Sequence, residues 1–440
     1  MPQYVIIGSG AAGVSAIEAI RTQDEHGEIL LIGDEREGFY SRPGLAYFLT
    51  NEIPEKQLFP FKRDDFDRLK VKLLFARVMQ IHTADQLVEL HDGSKISYDR
   101  LLIATGASAA QPALSGAELE GVVKLDNLND VRKIIKLARR GSTAVVIGGG
   151  ITALELVEGL LSRSVKTHYF LRKDRYWNNV LDETESRIIE HRLKEEGVRI
   201  HYNTEAAEII GKKGKVVGIR TTDGKEIKCN IVAIAIGIRP RMQLAANAGI
   251  ATDRGILVNE YLQTEAPNVY AAGDVAQVFD PLSGKSVLDS LWTPARLQGY
   301  AAGLNMAGKP TMYLKEVPFN VTRLAGLTTT IIGTVGRGVD EDLIGIARGD
   351  SETWRELPDV IACQNNFDVN RVRLLVGEKT LVGAVIMGDQ TLSHPLQELI
   401  VQHADITPVR SQLLKPQVAI SNIIADFWIS WRQQNAAQQP

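Results

Sequence analysis

One local pattern occurs twice in this chain and restricts its fold more than any other feature. A β-branched run, Tyr4-Val5-Ile6-Ile7, meets Gly8-Ser9-Gly10-Ala11-Ala12-Gly13 and then small and apolar residues at helical spacing. The same order returns at Ala144-Val145-Val146-Ile147-Gly148-Gly149-Gly150-Ile151-Thr152-Ala153. Each stretch reads as strand, tight turn and helix. Each is followed by a second strand, Glu28–Ile32 after the first and Lys166–Leu171 after the second. The chain thus contains one strand–turn–helix unit used twice rather than a short-period solenoid repeat.

The first turn is a full Gly-x-Gly-x-x-Gly fingerprint, with an acid, Asp34, about 20 residues further on. Gly8 suits the tight turn, Gly10 a close approach of backbone to a pyrophosphate, and Gly13 the packing of helix on strand. The first-turn N–H groups of the helix, around Ala11 and Ala12, face the phosphates. Asp34 can accept hydrogen bonds from both ribose hydroxyls of an adenosine, with Glu35 as the fallback. The second fingerprint, Gly148-x-Gly150-x-x-Ala153, lacks the acid: Leu171 stands in its place, followed by Arg172-Lys173-Asp174-Arg175. Loss of the anion and gain of arginine suit a 2′-phosphate and predict NADPH rather than NADH. The alternative is that Arg172 and Arg175 are ordinary solvated charges.

Other runs fill in the plan. Ile96–Gly106 reads as one buried strand ending in the turn Ala104-Thr105-Gly106, and Ile231–Pro240 as its counterpart in the second unit. Asn268–Asp274 is a further short strand with an acid past its end. From about Val317 the pattern changes to alternating strands such as Leu381–Met387, and a helix is expected from Gln417 to Arg432. Its stripe of Ile420, Ile423, Ile424, Phe427, Trp428 and Trp431 predicts packing on the last domain or on a dimer partner. Docking of another protein or a bilayer is the alternative.

Composition excludes several classes. Over 440 residues, 50 basic and 53 acidic side chains give a net charge of −3, so no nucleic-acid surface is indicated. The only two cysteines, Cys229 and Cys363, are too few for a four-cysteine zinc or iron–sulfur site and form no CxxC pair. No histidine sits in metal-ligand spacing, so no metal is expected. The longest apolar run, Ile231–Ile238, is far short of a membrane span. A start that runs straight into a strand leads us to expect no signal peptide and a cytoplasmic, reducing compartment.

Taken together, the two fingerprints, Ala104-Thr105-Gly106, Gly237-x-x-Pro240 and Tyr270-Ala271-Ala272-Gly273-Asp274 resemble the FAD-dependent pyridine nucleotide–disulfide oxidoreductase superfamily. Tyr40-Ser41-Arg42-Pro43-Gly44-Leu45 is similar to the branch containing the NAD(P)H-nitrite reductase flavin module, rubredoxin and ferredoxin reductases and apoptosis-inducing factor. The resemblance implies an α/β chain with two Rossmann-type domains, arranged as in glutathione reductase, and a C-terminal α+β interface domain. FAD would occupy 1–112 with 241–316, the nicotinamide 113–240, and the interface domain 317–440. A homodimer is the implied assembly.

By the same resemblance, Gly8, Gly10, Gly13 and Asp34 would hold the ADP half of FAD. Arg42 and Pro43 would lie by the isoalloxazine and pyrophosphate, Val78 by the adenine, and Asp274 by the ribityl–pyrophosphate region. Trp292 and Thr293 would open a helix whose N-terminal dipole faces the flavin pyrimidine. Glu155 matches an acid near the nicotinamide. Departures from the family are informative. Pro43 stands where disulfide reductases carry a reactive cysteine, which excludes a thiol relay. Tyr47 stands where a lysine would pair with Glu155, and Ile151 where a nicotinamide-gating aromatic is expected. His394-Pro395 with Glu398 only faintly resembles a His–Glu base and reads as a surface histidine. The expected reaction is hydride transfer from NADPH to FAD N5, then electron transfer to an external acceptor such as an iron–sulfur protein or partner subunit. A reductase of oxygen or quinones, or a redox-sensing binding module, are the alternatives.

Overall fold

The computed structural model describes residues 2–281, 283–335, 370–415 and 419–436. They divide into two compact units, one drawn from 1–174 and 194–315, the other from 175–193 and from 316 onward.

The first unit contains two five-stranded parallel sheets. One runs Val269–Ala271, Arg100–Ile103, Gln3–Ile7, Glu28–Gly33, Val71–Phe75; the other runs Arg199–His201, Lys166–Phe170, Thr143–Ile147, Ile231–Ile234, Val122–Val123. In the first, Val5 lies in register with Leu30 on one side and Leu101 on the other. Val5 and Ile6 are fully buried, as are Val145 and Val146 of the second sheet. Continuous apolar strands are what a parallel sheet covered on both faces requires.

Helix Ala11–Gln23 follows the first glycine turn and packs closely along helix Trp292–Met306. Small residues permit that approach: a Cβ on Gly299 would lie 2.1 Å from the Ala12 carbonyl oxygen, and one on Gly303 2.4 Å from that of Ala16.

Two runs expected as single strands are broken. Lys95–Ser97 and Arg100–Ile103 belong to different sheets. The change occurs at Asp99, whose carboxylate accepts from the Gln3 N–H at 2.7 Å while its own N–H donates to Gln3 O. Ile231–Ile234 likewise ends before Gly237, whose φ of +111° turns the chain. Ile238–Pro240 then pairs antiparallel with Ala107–Ala109. This two-stranded ribbon lies between the strands that leave the first five-stranded sheet and the strand, Val269–Ala271, that rejoins it.

The second unit holds a four-stranded antiparallel sheet, Phe319–Leu324, Leu327–Gly333, Leu381–Met387, Arg371–Val376, with helices Ser393–Val401, Thr407–Leu413 and Ile420–Ala436. The last helix buries Ile424 completely and packs Phe427, Trp428 and Trp431 against the core of this unit, while Trp428 Nε1 donates to Glu398 at 2.6 Å. Gln417 lies outside the described residues.

The stretch 175–193, expected inside the nicotinamide domain, belongs to this unit. Asp182 and Glu185 cap each other's backbone N–H at 2.8 Å. Arg373 Nε then donates to the fully buried Glu185 at 2.9 Å, and Arg371 to Asp182 at 2.6 Å. Burial works to raise the Asp182 carboxyl, but the Glu185 N–H and the two arginines outweigh it and hold it below the ordinary range.

Candidate functional site

The first glycine turn exists because nothing larger fits. Gly8 has φ +116°, and a Cβ there would lie 2.1 Å from Ala104 O; a Cβ on Gly13 would lie 2.1 Å from Gly8 O. A Cβ on Gly10, by contrast, would meet no atom within 4 Å, so the backbone faces open space at that position. Helix Ala11–Gln23 therefore begins with no side-chain cap and no acid in its first turn. Bare N–H groups at a helix start are an anion site.

That turn opens into a cavity of about 1140 Å³. Its lining brings together most of the residues assigned to the first dinucleotide: Gly8, Gly10, Ala11 and Ala12 on the turn, Asp34, Glu35, Arg42, Pro43, Val78, the Ala104–Thr105–Gly106 turn, Gly273, Asp274 and Trp292. Gly13 stands behind the turn. Thr293 is exposed one residue beyond Trp292, and Gly237 is at the ribbon; neither lines the cavity.

The two adjacent acids behave differently. Asp34 Oδ2 accepts from Arg77 Nη2 at 3.0 Å, and among the described residues Oδ1 has no donor. Glu35 is bonded to Tyr40 Oη at 2.5 Å and ion-paired with Arg42. Arg42 Nη1 also donates to Asp126 O at 2.6 Å, and its guanidinium lies 5.2 Å over the Tyr40 ring. Burial opposes the Arg42 charge, but Tyr40, Glu35 and Asp126 more than compensate, so it is held more firmly protonated than usual. Burial, foremost, also pushes the Tyr40 phenol above its ordinary range. Pro43 is the N-cap of helix Gly44–Leu49. Trp292 stacks on Phe39 at 6.0 Å and 16°.

The second fingerprint is built alike. Gly148 has φ +149°, a Cβ on it would lie 2.1 Å from Ala235 O, and Gly150 caps helix Ile151–Leu161 without a side chain. Ala153 is fully buried beside Gly148, as is Ile151 at the start of the helix. Leu171 is buried, Arg172 is exposed just past the strand end, and Arg175 falls in the second unit, where it donates to Asn178 O. Tyr47, buried, and Glu155, half-buried, lie on helices that pack together, with Leu49 2.4 Å from where a Cβ on Gly159 would stand. None of these residues lines the large cavity.

Arg77, Lys124, Asp126 and Arg241 line the cavity without having been singled out in the sequence. Arg241 had one legible signal: it directly follows the Gly237-x-x-Pro240 segment. Of the remaining candidates, His394 is exposed, 3.7 Å from Glu398. Cys229 is buried, which pushes its thiol up to about 12. Cys363 lies outside the described residues. Among the described residues no cluster of three His, Cys, Asp or Glu could hold a metal, and no helix is long and apolar enough to cross a membrane.

The large cavity exceeds the usual range of about 300–1,000 Å³ for small-ligand pockets, and its bare glycine turn with a carboxylate at the next strand end fits FAD. Fold and site thus define an oxidoreductase built around two dinucleotide sites. The comparisons agree. Residues 2–299 match the family described as pyridine nucleotide-disulphide oxidoreductase. The ferredoxin–NAD(+) reductase component of the biphenyl dioxygenase system of Paraburkholderia xenovorans is 32% identical over 80% of this chain and 85% of its own. The assimilatory nitrate reductase electron transfer subunit of Bacillus subtilis is 27% identical over 95% of this chain, which spans only 51% of that relative. A crystal structure of a covalent putidaredoxin reductase–putidaredoxin complex shares the fold, with TM-score 0.81, 22% identity, and coverage of 97% of this chain and 98% of that one. The chain belongs to the pyridine nucleotide-disulphide oxidoreductase family, whose members use FAD and NAD(P)H.

Proposed function

We propose that this chain passes reducing equivalents from NADPH through FAD to an external acceptor, an iron–sulfur protein or a partner subunit, without a thiol relay. The observation that carries the reading is the single cavity on which the first glycine turn, Asp34, Pro43, Asp274 and Trp292 converge. Asp34 and the turn would hold the ADP half, with Pro43, Asp274 and Trp292 at the other end. Bound FAD supplies the redox chemistry, taking hydride from a nicotinamide and releasing electrons singly or in pairs. The chain's own task is orientation and charge.

The absence of a relay is supported by chemistry. A proline caps the helix beside the cavity, among the described residues no cysteine lines it, and burial pushes the Cys229 thiol up to about 12. A thiolate is the species that would attack. Arg172, exposed one residue past the Leu171 that replaces the ribose-binding acid, supports a 2′-phosphate. An acceptor protein is supported by the names of two relatives, a ferredoxin reductase component and an electron transfer subunit.

Anaerobic titration of the yellow protein with NADPH and then NADH, following the visible flavin band, tests this. Rapid bleaching by NADPH with slower bleaching by NADH is expected. An equal or better rate with NADH would overturn the nucleotide assignment, and no bleaching by either would overturn the second site.

A further inference from the structure

One wall of the large cavity carries Lys124 and Arg241, neither of which has been given a role. Asp126, 3% exposed, is shared by Lys124 Nζ at 3.4 Å and Arg241 Nη2 at 3.6 Å. Among the described residues neither cation has another carboxylate within 4 Å. Arg42, on the same wall, is already matched by Glu35. Asp130 also acts on Lys124 and Asp126, so the cluster is close to charge balance, and what sets Arg241 apart is that it lines the cavity and is held there.

Arg241 is also held rigid. Its N–H donates to Gly106 O at 2.9 Å and its carbonyl accepts from Thr105 Oγ1 at 3.0 Å. Its Nε donates to Ser108 Oγ at 2.6 Å and its Nη1 to Thr105 O at 3.2 Å. These bonds tie the guanidinium to the turn that abuts Gly8, since Thr105 N lies 3.2 Å from where a Cβ on Gly8 would be. The guanidinium is therefore fixed to the segment that abuts Gly8. The turn itself offers N–H groups and the Ser9 hydroxyl but no charge: its helix starts with no cap and no charged residue in the first turn.

We propose that Arg241, assisted by Lys124, is the counter-charge to the diphosphate of the dinucleotide bound at the first glycine turn. The inference rests on the reading of that turn as the FAD site. The helix N–H groups would meet the diphosphate from one side and the guanidinium from the other. Fork geometry suits arginine to that role better than lysine.

The test uses the apoprotein, stripped of flavin, and measures binding of FAD, ADP and adenosine by calorimetry or competition. Arg241→Gln is expected to weaken ADP and FAD roughly tenfold or more, a typical size for a lost charge-assisted bond. Adenosine, which has no phosphate, should change by less than about twofold. Arg241→Lys should recover part of the loss, and FAD binding by R241Q should depend less steeply on salt. Equal losses for all three ligands would mean that Arg241 only holds the Thr105 turn, and no loss for any would mean that it faces no phosphate; either overturns the proposal. Failure of the wild-type apoprotein to bind ADP would instead overturn the FAD reading on which it depends.

Discussion

Gly299→Ala tests whether the close approach of two helices frames the flavin cavity. The new Cβ would stand 2.1 Å from Ala12 O and 2.6 Å from Ala12 Cα, whereas ordinary contacts begin at 3.4 Å. The helices must therefore part by about 1.3 Å, and both contact atoms are backbone, which cannot rotate away. Overpacking of a buried interface costs about 1–3 kcal/mol. With Gly299 fully buried among Ala301, Ala302 and Ala12 the upper end applies, about 3 kcal/mol. At roughly 2–4 °C per kcal/mol for a unit of this size, the midpoint should fall by about 6–12 °C. The displaced partners, Ala11–Gln23 and Trp292–Met306, both begin at the cavity, so purified G299A should also carry less flavin. Calorimetry and the ratio of visible to protein absorbance measure both. An unchanged midpoint with full flavin content would refute the argument.

Three further outcomes are expected. His168 and His201 face each other at 2.9 Å, and burial first, then neighbouring cations, lowers both, His168 to about 4. An unfolded histidine takes a proton near 6.5 while the folded His168 does not. The stability they contribute is therefore present above pH 6.5 and is lost as pH falls toward 4, by up to about 3 kcal/mol; His168→Asn should flatten a plot of melting midpoint against pH in that window, and an unaltered slope would exclude the pair as the cause. Arg172→Gln should raise KM for NADPH about tenfold and leave NADH unchanged; equal effects on both would return Arg172 to the solvated surface. Arg373→Ala strips a partner from the buried Glu185 and frees the Val180 carbonyl, at a cost of about 3–5 kcal/mol in urea unfolding; a change under about 1 kcal/mol would show the cluster to be well solvated.

Legibility followed the range of the forces involved. The glycine turns were readable because everything they need, a strand end, a positive φ and a helix start, lies within about ten residues. The spacing favours Asp34 with Glu35 as the fallback, but the engagement of Glu35 by Tyr40 and Arg42 was not readable, because it comes from a loop whose path no local pattern reveals. The single-strand reading of Ile96–Gly106 failed for a related reason. Its apolar residues, Ile96, Tyr98 and Leu101–Ala104, suggest one strand, but Asp99 binds the backbone of Gln3, and that distant bond breaks it in two.

The allegiance of 175–193 shows the limit most clearly. Locally the stretch looks like the continuation of a nucleotide-binding module, and its Asp182–Glu185 box is a plain helix start. What assigns it to the second unit are Arg371 and Arg373, about 190 residues away in sequence. Burying Glu185 without them would leave an unpaired carboxylate in the interior, a state proteins avoid by pairing or by protonation. The arginines thus permit the burial, and no reading of either segment alone contains that condition. Arg241 belongs to the same category. Its carbonyl, amide and guanidinium are all engaged by Thr105, Gly106 and Ser108 across the two-stranded ribbon. The residue proposed to face the diphosphate is therefore placed by a strand pairing between segments far apart in the chain, while the glycines facing it from the other side are placed by their own neighbours.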